Sequence, residues 1–130
     1  MSEIPPDLLY SEEHEYLKPT DEAGVYYVGI TDYAQGELGD IVFVELPSVG
    51  DRFEQGATFG TVEAVKAVSD LFCPVDGEVV AVNEALDADP SLVNSDPFGE
   101  GWMIQIRVTN ESQLEELLSA QEYAAHIGEG

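Results

Sequence analysis

A lysine, Lys66, sits amid Val62, Ala64, Val65, Ala67 and Val68 in the stretch Gly60-Thr-Val-Glu-Ala-Val-Lys66-Ala-Val-Ser-Asp70. The chain has only one other lysine, Lys18, and sets 27 Asp and Glu against four Lys and Arg. An ammonium is costly inside an apolar run unless it projects outward at the tip of a turn. The flanking residues read as two short strands meeting at such a turn. Gly56 lies ten residues before Lys66 and Gly77 eleven after, each beside strand-like sequence. That near-symmetry predicts a tight hairpin presenting one primary amine to solvent. An unperturbed lysine is a poor proton-transfer catalyst near neutral pH, but as a covalent attachment point it only has to be reachable. An amide bond to an acid cofactor would remove the charge and lengthen a flexible arm. The plain alternative is an ordinary surface lysine, and the scarcity of basic residues weighs against it.

Other chemistry is hard to find. The sequence holds no G-x-S-x-G elbow, no G-x-x-x-x-G-K-[ST] phosphate loop and no G-x-G-x-x-G fingerprint. His14-Glu15 would open a zinc-protease helix motif only with a second histidine four residues on, and that position is Lys18. Two histidines more than a hundred residues apart, with one cysteine, argue against a dedicated transition-metal site. Cys73 before Pro74 reads as a small buried apolar residue. No catalytic residue and no metal ligand is assigned, and a carrier is expected rather than an enzyme.

The elements that must hold Lys66 are short strands. At 130 residues the chain is read as one domain over 1–130, with a sandwich core at about 24–108 and a C-terminal helical segment at about 111–127. Residues 24–30 and 40–46 are β-branched and aromatic runs, and 78–82 and 102–108 are further strands. Thr31 and Asp32 offer cap oxygens for a helix over 33–38, closed by Gly39. Residues 85–101 read as a polar loop with a helical turn near Ser91 to Val93. Asn110 with Gln113, and Ser119 with Glu122, have capping-box spacing, and Leu114, Leu117 and Leu118 follow at helical intervals. The glycine-plus-strand units on either side of Lys66 suggest an internal two-fold repeat.

Composition bounds the partners. A formal charge of −23 argues against nucleic acid and against anionic membrane surfaces. It favours partners with basic patches, or adaptation to high salt. No apolar run reaches the roughly 18 to 20 residues of a membrane span. Met1-Ser-Glu-Ile-Pro-Pro6 resembles neither a signal peptide nor a transit peptide, and a single cysteine suits a reducing compartment. A cytoplasmic location is expected, or the mitochondrial matrix if a transit peptide has been removed.

The ordered motifs resemble the H-protein family of the glycine cleavage system, which are lipoyl carriers. The resemblance rests on Ser11-Glu-Glu-His-Glu-Tyr16, Val28-Gly-Ile-Thr-Asp-Tyr-Ala-Gln35, Leu38-Gly-Asp-Ile-Val-Phe-Val-Glu-Leu-Pro47 and Val62-Glu-Ala-Val-Lys-Ala-Val-Ser-Asp70. Pro74-Val-Asp-Gly-Glu-Val79, Leu92-Val-Asn-Ser-Asp-Pro-Phe-Gly-Glu-Gly-Trp-Met103, Leu114 and Tyr123 extend it over almost the whole chain. It implies a mainly β fold: a lipoyl/biotinyl-type barrel-sandwich hybrid of two small antiparallel sheets, with peripheral short helices and a C-terminal helix. It also implies (R)-lipoate joined to the ε-amine of Lys66. That arm would carry an aminomethyl group from glycine decarboxylase (the P protein) to a tetrahydrofolate-dependent aminomethyltransferase (the T protein). Dihydrolipoyl dehydrogenase (the L protein) would then reoxidise it, and a lipoate-attaching enzyme would install it.

In the family the loaded arm folds into a cleft near the glutamate matching Glu15, so the resemblance assigns arm docking to Glu15 and Tyr33. Departures are Ala64 where serine is frequent, Tyr16 where tryptophan is usual and Tyr33 where some members have histidine. Biotin carriers share the fold, but their lysine usually lies between methionines, whereas Val65 and Ala67 flank it here. Two alternatives stay open: a lipoate donor for other lipoyl domains, and an unmodified binding module of the same fold. The free protein is expected to be a monomer.

Overall fold

A computed structural model describes residues 3–128, so Met1 and Ser2 of the N-terminal stretch considered above lie outside the described residues. In chain order the elements are β1 Leu9–Tyr10, β2 Glu15–Pro19, β3 Val25–Ile30, α1 Asp32–Leu38, β4 Ile41–Glu45, β5 Arg52–Phe53, β6 Thr58–Ala64 and β7 Val68–Phe72. There follow β8 Gly77–Val82, α2 Ala85–Ala88, α3 Leu92–Ser95, β9 Ile104–Val108, a 3-10 segment Glu111–Glu116 and α4 Ala120–His126. One sheet has six strands in the order β1-β2-β3-β9-β8-β5, and the other has three, β4-β6-β7. All named pairings are antiparallel. This is the mainly β, two-sheet architecture with short peripheral helices that the sequence predicts.

Period-two alternation builds the core between the sheets. On β6, Gly60, Val62 and Ala64 are buried while Thr61 and Glu63 are only partly so, and Phe59 is buried as well, beside the register shift between Thr58 and Gly60. Val28 and Ile30 of β3, Leu71 of β7, Val79 of β8 and Ile104 and Ile106 of β9 join them in one cluster. Each such side chain contributes about 1.5–3 kcal/mol by leaving water. A second cluster of Leu8, Tyr10, Tyr16, Phe98 and Tyr123 lies beneath α4, with the Tyr10 and Tyr123 rings stacked at 4.8 Å.

The caps of α1 form as the residue types predict. Thr31 accepts a hydrogen bond from Ala34 N, and Gly39, at φ 83°, donates its N–H to Gln35 O. A left-handed φ favours glycine there because it has no Cβ to clash.

The sequence reading departs from the structure in four places. The sheet begins ahead of residue 24, because β1 and β2 form a hairpin and β2 pairs with β3. Residues 85–101 hold two short helices rather than one helical turn, α2 burying Leu86 and α3 burying Val93. Asn110 makes no cap bond; it accepts from Ser112 instead, and residues 111–116 wind as 3-10 helix. Gly56 and Gly77 are not equivalent: Gly56 takes φ 88° in a turn, whereas Gly77 lies within β8, where a Cβ would meet Ile106 Cγ1 at 2.5 Å.

The capping box of α4 does form, Ser119 accepting from Glu122 N and Glu122 accepting from Ser119 N. Ser119→Ala should therefore cost about 1 kcal/mol in urea unfolding, and Asn110→Ala less than about 0.5 kcal/mol. Equal losses from both variants would contradict this difference between the two boxes.

Candidate functional site

Lys66 stands in the turn that joins β6 to β7. Glu63 pairs with Val68, and Ala64 N donates to Ala67 O at 2.7 Å, which leaves Val65 and Lys66 at the tip. Val65 N donates to Asp40 O, so the tip is tied to the start of β4. His14 is the only non-glycine residue with positive φ among the described residues, so this turn is not of the primed type that usually closes such a loop. Residues 65–68 are all exposed.

The four basic side chains have different situations. Arg52 and Arg107 pair with Glu78 and Glu22, and Lys18 donates to Phe98 O at 2.9 Å. Lys66 makes no hydrogen bond or ion pair with the described residues, and its stem lies over Gly39, where an added Cβ would be 3.3 Å from Cε. The expected amine is therefore available at the hairpin tip, and the other lysine is engaged.

A cleft of about 270 Å³ lies beside the hairpin. One wall is α1, through Tyr33, Ala34 and Glu37, and the other is β7, through Ser69, Asp70 and Leu71. Ile30 and Val62 line it, and Glu13, His14 and Glu15 also border it. β7 starts just after Lys66 and reaches Phe72, whose N–H donates to Glu15 Oε2 at 3.3 Å. Four steps of extended strand span roughly 13 Å. The cleft thus runs alongside the strand that leads from the lysine turn to Glu15.

The structure brings Glu15 and Tyr33 to this one cleft. Glu15 is 2% exposed, so it is not one more solvated carboxylate. Its Oε1 accepts from Ser11 Oγ at 2.8 Å. Burial pushes its carboxyl up to about 8, against the opposing pull of the Ser11 and Phe72 hydrogen bonds. Glu15 also borders a second cleft, of about 310 Å³, with Ser11, Gln55 and Cys73. Tyr33 donates its hydroxyl to Glu37 Oε1 at 3.0 Å, and its ring lies 5.2 Å from that of His14.

Some site features were not legible beforehand. Glu13, Glu37 and Asp70 share the cleft with Glu15, and nothing in sequence separates them from the other carboxylates. His14 and His126, more than a hundred residues apart in sequence, bring their rings to 5.8 Å. The Tyr123 hydroxyl is 2.9 Å from His14 Nδ1 and 2.7 Å from Thr31 Oγ1, which locks this corner to α4. Burial and the facing His126 lower the His14 pKa, with Glu13 and Glu37 opposing. Sequence distance was thus a poor guide to the spacing of the histidines, although no group of three metal-binding side chains occurs among the described residues. Cys73 is buried as expected, donating to Val75 O, and burial pushes its thiol up to about 12. No described helix is long and apolar enough to cross a membrane.

Comparison with known proteins gives a consistent result. Residues 8–130 match the family described as Glycine cleavage H-protein. A glycine cleavage system H protein of Carboxydothermus hydrogenoformans is 55% identical over 123 residues, covering 95% of this chain and 93% of the relative. A probable glycine cleavage system H protein of Natronomonas pharaonis is 57% identical, covering 96% and 97% of the two chains. The crystal structure of a glycine cleavage system H protein from Mycobacterium marinum superposes with a TM-score of 0.87 at 41% identity, over 96% of this chain and 99% of that one.

The buried Glu15 carboxyl has a definite pH signature. Its folded pKa lies above the ordinary carboxylate value, so its contribution to stability is complete below about pH 4.5 and is lost as pH rises through about 8. Glu15→Gln removes that loss. The melting temperature of the variant relative to the parent should rise steadily from pH 5 to 8. A difference that stays flat across that range would rule out a raised Glu15 pKa.

Proposed function

The chain belongs to the glycine cleavage H-protein family, and on that premise we propose that Lys66 is the attachment point of a lipoyl group that this domain carries between enzymes. The observation that carries the reading is the exposed, unpaired Lys66 at a hairpin tip with a cleft running alongside the next strand. Lys18, held by the Phe98 carbonyl, offers no comparable amine. Attachment forms an amide between Nζ and the acyl carbon of an activated lipoyl donor. The amine sheds its protons to solvent, and the donor's leaving group departs with the bonding pair. Once attached, the group supplies a disulfide that can open to accept a carbon fragment and be remade by oxidation.

The residues of the cleft fit such an arm. Ile30, Val62 and Leu71 give it an apolar lining, while Glu13, Glu37 and Asp70 supply acidic side chains beside the buried Glu15 carboxyl. A protonated amine brought to Glu15 would lower the pKa of that carboxyl and draw it into an ion pair sheltered from water. Tyr33 shapes the α1 wall of the seat. On this reading the protein is a shuttling cytoplasmic substrate, not a catalyst. Its partners are the decarboxylase, the aminomethyltransferase, dihydrolipoyl dehydrogenase and the lipoate-attaching enzyme. Against a chain of charge −23, each would present basic residues at the contact.

Incubation with a lipoate–protein ligase and lipoate should add one lipoyl group, mapped to Lys66 by peptide mass and absent in Lys66→Arg. An unmodified parent chain, under conditions that fully modify another lipoyl domain, would overturn the carrier reading. Glu15→Gln should accept lipoate normally yet lose the loaded aminomethyl group faster, followed as intact mass against time. An unchanged lifetime would remove Glu15 from the role.

A further inference from the structure

Glu15 borders two clefts at once, the one alongside β7 and the second, of about 310 Å³, yet it is only 2% exposed. No lysine or arginine lines either cleft. The ionisable side chains around it in the first are His14, Tyr33, Glu37 and Asp70, and in the second Tyr10, Glu12, Cys73 and Glu116, with Glu13 on both. With no amine seated, a carboxyl so placed keeps its proton, because nothing offsets the desolvation of its charge. Hydrogen bonding fixes where that proton sits. Oε2 takes the Phe72 N–H at 3.3 Å, and a peptide N–H can only donate. Oε1 is 2.8 Å from Ser11 Oγ, which also accepts from Glu15 N at 3.0 Å. Among the described residues, Ser11 Oγ is the one side-chain oxygen bonded to this carboxyl, so the proton belongs on Oε1. A serine hydroxyl both gives and takes, so this single contact serves both charge states. Neutral Glu15 donates to Oγ, and ionised Glu15 accepts from it. Ser11 itself lines the second cleft and not the first.

We propose that Ser11 is a positioning residue that passes the Glu15 proton to solvent in the second cleft, so that Glu15 takes up charge as an amine enters the first. The Oε1–H bond breaks and its proton joins Oγ, while the Oγ–H bond breaks and that proton joins a water molecule of the second cleft. A carboxylate, an intact hydroxyl and a hydronium ion result, and no electron is lost or gained. Glu12, Glu13 and Glu116 beside this cleft give it a negative field that favours the departing proton. The reverse path restores the acid when the arm leaves. A proton leaving by the first cleft would have to pass the incoming cation, whereas this route separates the two. The amine comes from the carrier reading, on which this role rests; the proton path itself belongs to the unlipoylated chain.

Carbon-13 NMR of the Glu15 carboxyl in the full unlipoylated chain, assigned by its absence in Glu15→Gln, follows both the titration and the rate of proton exchange. The parent should titrate with a midpoint near about 8 and show one sharp, averaged line throughout. Ser11→Ala removes the donor that favours the charged form, so the midpoint should rise by about one pH unit. Its line should also broaden at the midpoint as proton exchange slows. Ser11→Cys, which fills the same space with a weak donor and acceptor, should behave alike and carries the test if urea unfolding shows Ser11→Ala to be unfolded. Ser11→Thr, which keeps the hydroxyl, should restore both midpoint and line width. A midpoint and line width unchanged from the parent in the folded variants would overturn the role. So would a raised midpoint with a line as sharp as the parent's, which would make Ser11 a hydrogen-bond partner and no proton path. Neither result touches lipoylation at Lys66. A parent chain that is never lipoylated would instead overturn the carrier reading, and the seating of an amine beside Glu15 with it.

Discussion

The antiparallel register between β6 and β7 is the constraint on which the rest depends. Glu63 faces Val68, Val62 faces Ser69 and Thr61 faces Asp70. With a period of two, this sends Val62, Ala64 and Leu71 inward and Glu63, Val68 and Asp70 outward. A slip of one residue would turn Glu63 into the core and Val62 into water, and two errors of that kind exceed what a small domain can absorb. The same register fixes the chain reversal at Val65 and Lys66. The Val65 N–H bond to Asp40 O then anchors the tip to β4 and the end of α1. Position and exposure of the amine are therefore consequences of core packing, not of any feature of the lysine.

Glu15 shows the opposite relation between stability and function. Its carboxyl is buried against Ser11 and the Phe72 N–H at the point where β2 meets the edge of β7. Both oxygens are satisfied, so the group is tolerable, but ionising it there costs desolvation energy that a glutamine would not. A carboxyl kept in so unfavourable a place needs a compensating use. In the carrier role proposed above, a cation brought to it would supply one, because the attraction in a low-dielectric pocket is greater than it would be at the surface. His14, adjacent in sequence and strained at φ 74°, is held by Tyr123 of α4. The C-terminal helix thereby fixes the backbone that aims Glu15.

The strands and the hairpin were legible because they rest on local patterns: alternation, turn glycines, and a lone basic residue in a largely apolar run. The caps of α1 and α4 were legible for the same reason, as side chains bonding backbone a few residues away. What escaped reading depends on distant partners. β1 is only Leu9–Tyr10 and exists through pairing with β2 and a bridge to Leu118. The box at Asn110 failed because Ser112 competes for its side chain, a neighbour that spacing rules do not weigh. Glu15 could be named from family resemblance, yet its burial could not, since 27 carboxylates look alike in sequence. Glu13, Glu37 and Asp70 reach one cleft only because the turn before β2, α1 and β7, far apart in sequence, all border it.

The acidity of the chain and the exposure of its amine act over different ranges. A net charge of −23 favours basic partners over acidic ones at a distance, or suits a saline medium, but the field is screened beyond about 8–10 Å at physiological ionic strength. Discrimination must come from what is not uniform. The exposed lysine is one such feature, and beside it the register sets Phe43 and Val68 on either side of Glu63. Long-range charge raises the encounter rate with any basic protein and by itself selects none.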